Sequence, residues 1–309
     1  MATRLSILRS GLPLIGLWLT ACAMSAVPDG PADDAAGLSS WRTLQAAPDA
    51  RGRFLQLGRP VAVAGWQDWI YIADAGRGTL YRYDRAADRL QAFRAMALAP
   101  GVRMVAHPAG GLYVTDPPNR RVLRLDPDGR IATVFRDFNL NLPVALVDDP
   151  RGGRLLVLDG PYQQILAFNR LGRLEEVIHP RDQRGQPPGN LIDLAADANR
   201  FYLLDAARHE VLVTDRQGRY LRRFGQDVLK QPASLVRDPF GRVIVADAFD
   251  GRLWIFQPQA RGRAARFVTT NAGRITDLAV SEPWLLAADD GMGAVHVFRL
   301  VPPAPERRQ

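Results

Sequence analysis

The sequence predicts an all-β repeat protein, and three observations support that fold class. First, a short apolar run closing on Asp occurs six times, and the closing residues are Asp74, Asp116, Asp159, Asp205, Asp247 and Asp289. Second, these residues are spaced 42, 43, 46, 42 and 42 positions apart, and a nearly fixed period marks a repeat architecture. Third, the runs are short, rich in aliphatic residues and bounded by Gly, Pro and Asp, as strands are. Six such repeats predict a six-bladed β-propeller.

Each repeat has room for four strands, and the fifth repeat shows them best. We predict an inner strand at residues 232–236, a turn at 238–241 and a second strand at 243–246. A third strand at 253–256 and an outer strand at 265–268 complete the blade.

Ring closure is predicted from what the last repeat lacks. After residues 294–298 the chain enters a Pro-rich tail, 301–309, and its successive prolines cannot donate to a strand ladder. Upstream, residues 52–57 match the outer strands of other repeats. We therefore expect a propeller over residues 51–300 whose last blade is closed by the N-terminal strand 52–57, which removes the open sheet edge.

The order of features within a repeat resembles the NHL repeat. In the fifth repeat Pro232 opens the inner strand, Asp238-Pro239-Phe240-Gly241 forms the turn, and the second strand ends in Ala246-Asp247. Residues 101–116 and 143–159 match nearly as well, and the resemblance covers about residues 53–300. The first, fourth and sixth repeats depart from the pattern at the turn. The resemblance implies the propeller fold but no single function, because NHL propellers serve as binding platforms and also as enzymes.

The N-terminus predicts export. Arg4 and Arg9 precede an apolar run too short to span a membrane, so residues 1–21 are expected to be a signal peptide. The sequence Leu19-Thr20-Ala21-Cys22 resembles the lipobox of bacterial lipoproteins, in which the Cys is acylated. Cys22 is also the one cysteine of the chain. Residues 22–50 are expected to form a flexible tether, and Ala23 after the Cys implies sorting to the outer membrane with a periplasmic body.

Composition and charge limit the classes of molecule that the protein is expected to bind. The chain is 47% hydrophobic and 23% charged, with a formal net charge of +8, which is compatible with an anionic partner. Almost every basic residue is Arg, a bias that a GC-rich genome also produces, and export argues against nucleic acid. We expect a monomer that is attached to the membrane through its N-terminal lipid and binds an envelope protein or an anionic envelope polymer.

The recurring Asp is interpreted as structural. Six equivalent carboxylates at six equivalent turns cannot all be catalytic, whereas an Asp that ends a strand can accept backbone N–H bonds and hold the following turn.

Functional residues are sought where the repeats differ, at the mouth of the central channel. Aligning the inner strands places Ala62, Arg103, Ala145, Asp193, Ser234 and Asp277 at one equivalent inward position. Its polar members, Arg103, Asp193, Ser234 and Asp277, are the channel-mouth candidates. The charged residues among them either hold a cation, with calcium at Asp193 and Asp277, or neutralise one another inside the channel. Both interpretations stay open at this point.

The loops expected on the same face supply candidates for a binding surface. These are Tyr162, Arg208, His209 and Phe249, joined by Pro117, Pro118, Met292 and the insertion 179–189. Aromatic and Arg side chains on a rigid scaffold suit recognition of a partner.

Enzyme hypotheses find less support in the sequence. A zinc site like that of amidating lyases would need clustered histidines, but His107, His179, His209 and His296 fall on separate segments. A lactonase-like calcium site is approximated only by Asn190, Asp193 and Asp277. Nucleophile-elbow, phosphate-loop and haem-attachment motifs do not occur. We therefore expect a lipid-anchored periplasmic binding or scaffold module, with a metal-dependent hydrolase or lyase as the alternative.

Overall fold

The computed structural model describes residues 37–257, 266–270 and 272–303, and it confirms the six-bladed β-propeller. Within those residues, six four-stranded antiparallel sheets stand in a ring, and one further two-stranded sheet lies beside them. No helix among the described residues is long and apolar enough to cross a membrane. The predicted signal peptide and Cys22 lie outside the described part of the chain.

The strands follow the chain from the N-terminus in simple order. From residue 37 onward, three strands precede the first blade: β1 (Leu38–Leu44), β2 (Ala46–Pro48) and β3 (Phe54–Gln56). Blade one contains β4 (Pro60–Trp66), β5 (Trp69–Asp74), β6 (Thr79–Asp84) and β7 (Arg89–Ala95). Blade two contains β8 (Met104–Ala106), β9 (Leu112–Asp116), β10 (Arg121–Leu125) and β11 (Ile131–Phe135), with a 3-10 turn at Pro117–Asn119. Blade three contains β12 (Pro143–Asp148), β13 (Arg154–Asp159), β14 (Gln164–Asn169) and β15 (Leu174–Ile178).

The remaining blades repeat this pattern. Blade four contains β16 (Leu191–Ala196), β17 (Arg200–Asp205), β18 (Glu210–Asp215) and β19 (Tyr220–Phe224). Blade five contains β20 (Pro232–Arg237), β21 (Val243–Asp247), β22 (Arg252–Phe256) and β23 (Arg266–Thr269). Blade six contains β24 (Ile275–Ser281), β25 (Trp284–Asp289) and β26 (Ala294–Leu300), and its fourth strand is β1.

The first strand of each blade lines the central channel. Each inner strand contacts the inner strands of the two neighbouring blades, and β24 contacts β4, which closes the ring. The face where the inner strands begin is called the upper face, and it also carries the turns between the second and third strands. The face where the inner strands end is called the lower face.

The hydrophobic core is divided among the blade interfaces. The described residues form six buried apolar clusters, and each one fills the space between two neighbouring blades. The aliphatic runs that mark the repeats supply most of these side chains, because the second and third strands are covered on both faces.

The closing strand is not the one that the sequence analysis expected. Residues 38–44, within the stretch expected to be a tether, form β1 and pair with β26 from Leu38↔Leu300 to Leu44↔Val295. Residues 54–56, expected to close the ring, instead form β3 and pair with β2 in a separate hairpin. The closure by an N-terminal strand is confirmed, but its position at 52–57 was wrong, and the sheet begins upstream of residue 51.

Chain length explains the correction. An outer strand lies three inter-strand spacings, about 14 Å, from the inner strand that follows it. Only residues 57–59 separate β3 from β4, and they would have to be fully extended to cover that distance. The backbone N–H groups of Gly58 and Arg59 are also bound to Asp74 near the channel, at 2.6 and 2.8 Å. Residues 52–57 are therefore too close to β4 along the chain to form the outer strand of blade six.

The structural interpretation of the recurring Asp is confirmed at five of six positions. Asp205 is fully buried and accepts N–H bonds of 2.7 and 3.0 Å from Gly189 and Asn190, before the inner strand, and of 3.1 Å from Ala207 and Arg208, in the following turn. Equivalent bonds to the loop before the inner strand are made by Asp74, Asp159, Asp247 and Asp289. Asp116 departs from this pattern, since its carboxylate binds the side chains of Asn119 and Arg121.

The ring closure is testable by truncation. Deleting residues 23–44 removes β1 with Leu38 and Leu44, both 1% exposed. Losing two buried leucines costs about 2 kcal/mol each, and for a domain of this size that lowers the melting temperature by roughly 10 °C. The control deletion, residues 23–36, removes no strand that the structure describes and should melt like the parent. Circular dichroism melts with coincident midpoints for the two deletions would contradict the assignment of β1.

Candidate functional site

The six aligned inner-strand residues do occupy one ring around the channel. Ala62, Ala145, Asp193, Ser234 and Asp277 each pair with the residue before the strand-ending Asp. Arg103 has the same place in blade two, where its carbonyl accepts a 3.0 Å bond from the N–H of Thr115. In the other five blades the register shifts immediately before the ring residue, and such β-bulges re-aim a side chain.

Three ring residues form a hydrogen-bonded chain from blade four to blade one. The Ser234 hydroxyl donates to Asp193 Oδ2 at 2.7 Å, and the N–H of Leu235 donates to the same oxygen at 2.8 Å. Ser234 Oγ in turn accepts a 3.0 Å bond from the N–H of Leu278. Asp277 Oδ2 accepts a 2.9 Å bond from the N–H of Val63. Each of these side chains therefore binds the inner strand of the following blade.

Arg103 crosses the channel to the opposite blade. Its Nη2 donates to the carbonyl of Ala233 in blade five at 3.4 Å. Its Nη1 donates to the carbonyl of the preceding residue, Val102, at 3.3 Å. Its Nε lies 3.5 Å from Asp277 Oδ1. The structure thus brings together all four channel-mouth candidates, and their charges partly neutralise one another.

Burial dominates the electrostatics of this ring. Asp193 and Asp277 are only 7% and 4% exposed. Burial raises the pKa of Asp277 to about 7, although the Arg103 guanidinium opposes this, and the Asp193 carboxylate raises it further. Burial also raises the pKa of Asp193, against the effects of Arg103 and of the donors from Leu235, Ser234 and Leu194. Asp277 therefore changes its protonation near neutral pH.

The oxygen atoms of this ring are largely occupied by protein donors. Both oxygens of Asp193 and one of Asp277 accept hydrogen bonds. Within the described residues, no group of three or more His, Cys, Asp or Glu side chains is placed to hold a metal ion. Calcium at Asp193 and Asp277 stays a prediction.

The histidines lie apart, as expected. His107 is in the lower turn of blade two, where its Nδ1 accepts the N–H of Ala109 at 3.0 Å. His296 lies in β26, between Thr43 of the closing strand and Asp289, at 3.0 Å from each. His209 is exposed in the upper turn of blade four, and His179 is exposed after the end of β15.

A central cavity of about 350 Å³ lies below the ring of inward residues. Arg103, Asp193 and Asp277 line its closed end, and the lower turns of Pro108 and Pro150 lie at the other end. The cavity is therefore reached from the lower face, although the sequence analysis placed the functional mouth on the upper face.

The upper face carries the predicted loop residues and further apolar side chains. Tyr162 and Phe249 are 64% and 62% exposed. Sequence reasoning missed Phe138, which is 86% exposed in the loop before blade three, and Leu142, which follows it and is 41% exposed. The signal for Phe138 was available: it is an aromatic residue between Asp137 and Asn139, whose side chains hold a polar turn.

Arg208, predicted as a binding-face residue, also anchors the insertion. Its guanidinium binds Asp182 Oδ2 at 3.0 Å and the carbonyl of Pro187 at 3.1 Å. Between this insertion and blade four lies a second cavity of about 570 Å³, with buried Glu210 at its wall and Arg223 at 3.4 Å from it. Burial raises the pKa of Glu210, and Arg223 lowers it less.

Comparison with models of known protein families finds no match for the chain, and a search of curated proteins likewise finds no relative.

Asp277 gives the fold a testable pH dependence. Its carboxyl has a pKa of 3.8 when unperturbed and of about 7 in the folded protein, so between these values the folded state binds a proton that the unfolded chain has lost. The contribution of Asp277 to stability therefore falls as the pH rises from 4 to 7. In Asp277→Asn this loss is absent, and the melting temperature of the variant relative to the parent should rise from pH 5 to pH 8.

The control for this measurement is Asp128→Asn, which removes a surface carboxylate that is 72% exposed. Melting curves of D277N that stay parallel to the parent across the pH series would exclude titration of Asp277 near neutrality.

Proposed function

We propose that this protein is a lipid-anchored periplasmic propeller of the NHL type, which binds another envelope protein through its upper face. The propeller fold fits a binding or scaffold module, and its upper loops project from a rigid ring. The observation that carries the proposal is the set of exposed apolar side chains on these loops. It comprises Phe138, Leu142, Tyr162, Phe249 and Met292, which are between 41% and 86% exposed.

Apolar side chains on loops favour a protein partner. Large aromatic residues dominate the binding energy of protein interfaces, because they bury much area with little loss of side-chain freedom. Leu142 lies beside the turn of Tyr162 at blade three, where the N–H of Gly160 donates to the carbonyl of Leu142 at 3.0 Å, and Phe138 belongs to the same loop as Leu142. Blade five contributes Phe249, whose ring faces the ammonium of Lys230 at 4.5 Å.

An anionic envelope polymer is the second candidate partner. The net charge of +8 favours it, but many arginines on the described surface are already paired with carboxylates. For example, Arg274 binds Asp290, and Arg208 binds Asp182. A protein partner with an apolar contact surface and an acidic rim suits both the exposed apolar side chains of the upper face and the positive net charge of the chain.

The proposed interface is testable by site-specific crosslinking in the native host. A photoreactive residue at position 162 or 249 should give a discrete adduct with one envelope protein after irradiation. The matched control is position 171 on the lower face, since Leu171 is 76% exposed and also lies in a turn. We expect no adduct from position 171, and identical adducts from both faces would contradict the proposal.

The triple variant Phe138→Ser, Tyr162→Ser, Phe249→Ser provides the complementary test with native side chains elsewhere. These residues are exposed, so each change should alter stability by no more than about 0.5 kcal/mol, and the adduct from a probe at Met292 should be lost. Retention of that adduct would show that the apolar side chains do not bind the partner.

The anchor has its own test. Cys22→Ala should abolish acylation and release the protein from the membrane fraction, since the mature chain then carries no lipid. The unmodified chain should partition into detergent and be labelled by a clickable fatty acid. Membrane association of C22A that still requires detergent for extraction would exclude the lipoprotein assignment.

A further inference from the structure

On the inner edge of each blade, one backbone N–H points into the channel and is not paired with a neighbouring strand. These groups belong to the residues that follow the ring positions: Val63, Met104, Leu146, Leu194, Leu235 and Leu278. Four of them are bound by ring side chains: Val63 by Asp277, Leu194 and Leu235 by Asp193, and Leu278 by Ser234. A buried backbone donor without an acceptor is costly, so these bonds are expected.

The two remaining N–H groups have no such acceptor. The ring residue placed to serve Met104 is Ala62, which offers only a methyl group. The ring residue placed to serve Leu146 is Arg103, which is itself a donor. Among the described residues, no side chain accepts a hydrogen bond from either group. Blades two and three therefore direct donors into the channel, whereas blades four to six direct acceptors.

One acceptor atom on the far side is also incompletely used. Asp277 Oδ2 is bound by Val63 at 2.9 Å, whereas Oδ1 has longer contacts of 3.5 Å, to Ser234 Oγ and to Arg103 Nε, and lies near the N–H of Leu278. The side chain lines the closed end of the central cavity and is 4% exposed. With both carboxylates ionised and Arg103 protonated, this end carries a net charge of −1.

The walls between this polar end and the lower face are mostly apolar, with Asp148 and Arg237 as charged members of the lining. They are formed by the inner strands, with Leu146 and Val147 of blade three, Leu235 and Val236 of blade five, and Ala279 of blade six among them. A volume of about 350 Å³ lies within the range of small-molecule sites, which combine apolar walls with a few placed polar groups.

We propose that the central cavity binds a small zwitterion with an apolar side chain, that is, an apolar α-amino acid. Its carboxylate accepts hydrogen bonds from the N–H groups of Met104 and Leu146, on the side of Arg103. Its ammonium group donates to Asp277 Oδ1, and its side chain lies against the apolar walls towards the lower face.

Ligands with only one of these charges fit less well. A simple carboxylate raises the negative charge at this end from −1 to −2, and a simple amine leaves two buried N–H groups without an acceptor. This site is separate from the upper-face surface, because Arg103 lies across the channel between them.

Calorimetry with the acylated full-length protein tests the proposal. The probes are L-leucine and L-phenylalanine, compared with N-acetyl-L-leucine, which lacks the ammonium group, and 3-methylbutylamine, which lacks the carboxylate. We expect the amino acids to bind and each truncated probe to bind about tenfold more weakly or not at all, the loss of one charge-assisted hydrogen bond. Asp277→Asn should weaken L-leucine binding by a similar factor.

Proton release gives a readout that a purely structural role would not produce. Asp277 faces Arg103, Asp193 and the Ser234 hydroxyl, and its pKa of about 7 leaves it partly protonated at pH 7. A bound ammonium group holds it as the carboxylate, so binding releases a proton and the measured heat varies with the ionisation enthalpy of the buffer. In D277N this variation should vanish.

Two further variants complete the design. Val147→Phe fills the cavity from its wall and should abolish binding without changing the polar ring. This variant tests the proposed binding site even if D277N does not fold. Tyr162→Ser on the upper face should leave binding unchanged. The proposal is overturned by an absence of heat with every probe, as from a cavity filled by water alone. Equal affinity for L-leucine and N-acetyl-L-leucine, or unchanged L-leucine binding in V147F or in folded D277N, would overturn it as well.

Discussion

The inner strand of every blade has one edge without a neighbour, and the way the chain satisfies the N–H groups on that edge governs the channel. In an ordinary sheet such an edge would face water or be covered. In this ring it faces the inner edges of the other blades across a narrow space, where water is restricted and each unpaired donor is costly. Asp193, Ser234 and Asp277 meet this requirement by each reaching to the next inner strand. In blades four to six, the first role of the polar ring is therefore structural, because it supplies the acceptors for these N–H groups.

The same solution has an electrostatic cost. Two carboxylates placed in a channel with one guanidinium cannot both be ionised without penalty, and the burial of Asp277 brings its titration to neutral pH. Replacing a ring carboxylate by an apolar residue would remove that penalty but leave a backbone donor unpaired. In blades two and three the backbone donors are left unpaired, since Ala62 and Arg103 of the preceding blades provide no acceptor for the N–H groups of Met104 and Leu146. The asymmetry of the channel follows from these six positions.

Much of this architecture was accessible from the sequence, because it depends on patterns that recur every 42 residues or so. The apolar runs gave the strands, the recurring Asp gave the loop contacts, and the alignment of Arg103, Asp193, Ser234 and Asp277 gave the ring. Two features were missed because they occur once. The closing strand β1 has no repeat to be compared with, and its apolar residues Leu38, Trp41 and Leu44 are three positions apart, which is not the alternation of a strand. Phe138 lies in a single loop, where its signal was one aromatic residue between Asp137 and Asn139 and had no counterpart in the other repeats.

The pairing of β1 with β26 also dictates the order in which this protein can fold. Thr43 and His296 meet across 253 residues of chain, so the first of the described strands to be synthesised pairs with the last of them. Contacts of such sequence separation form late and slowly, because the intervening chain must be ordered before the ends can join. Until then the apolar edges of blades one and six are both open, and a partly folded chain can pair with a second copy through them. A folding factor that shields this seam would act on β1 and β26.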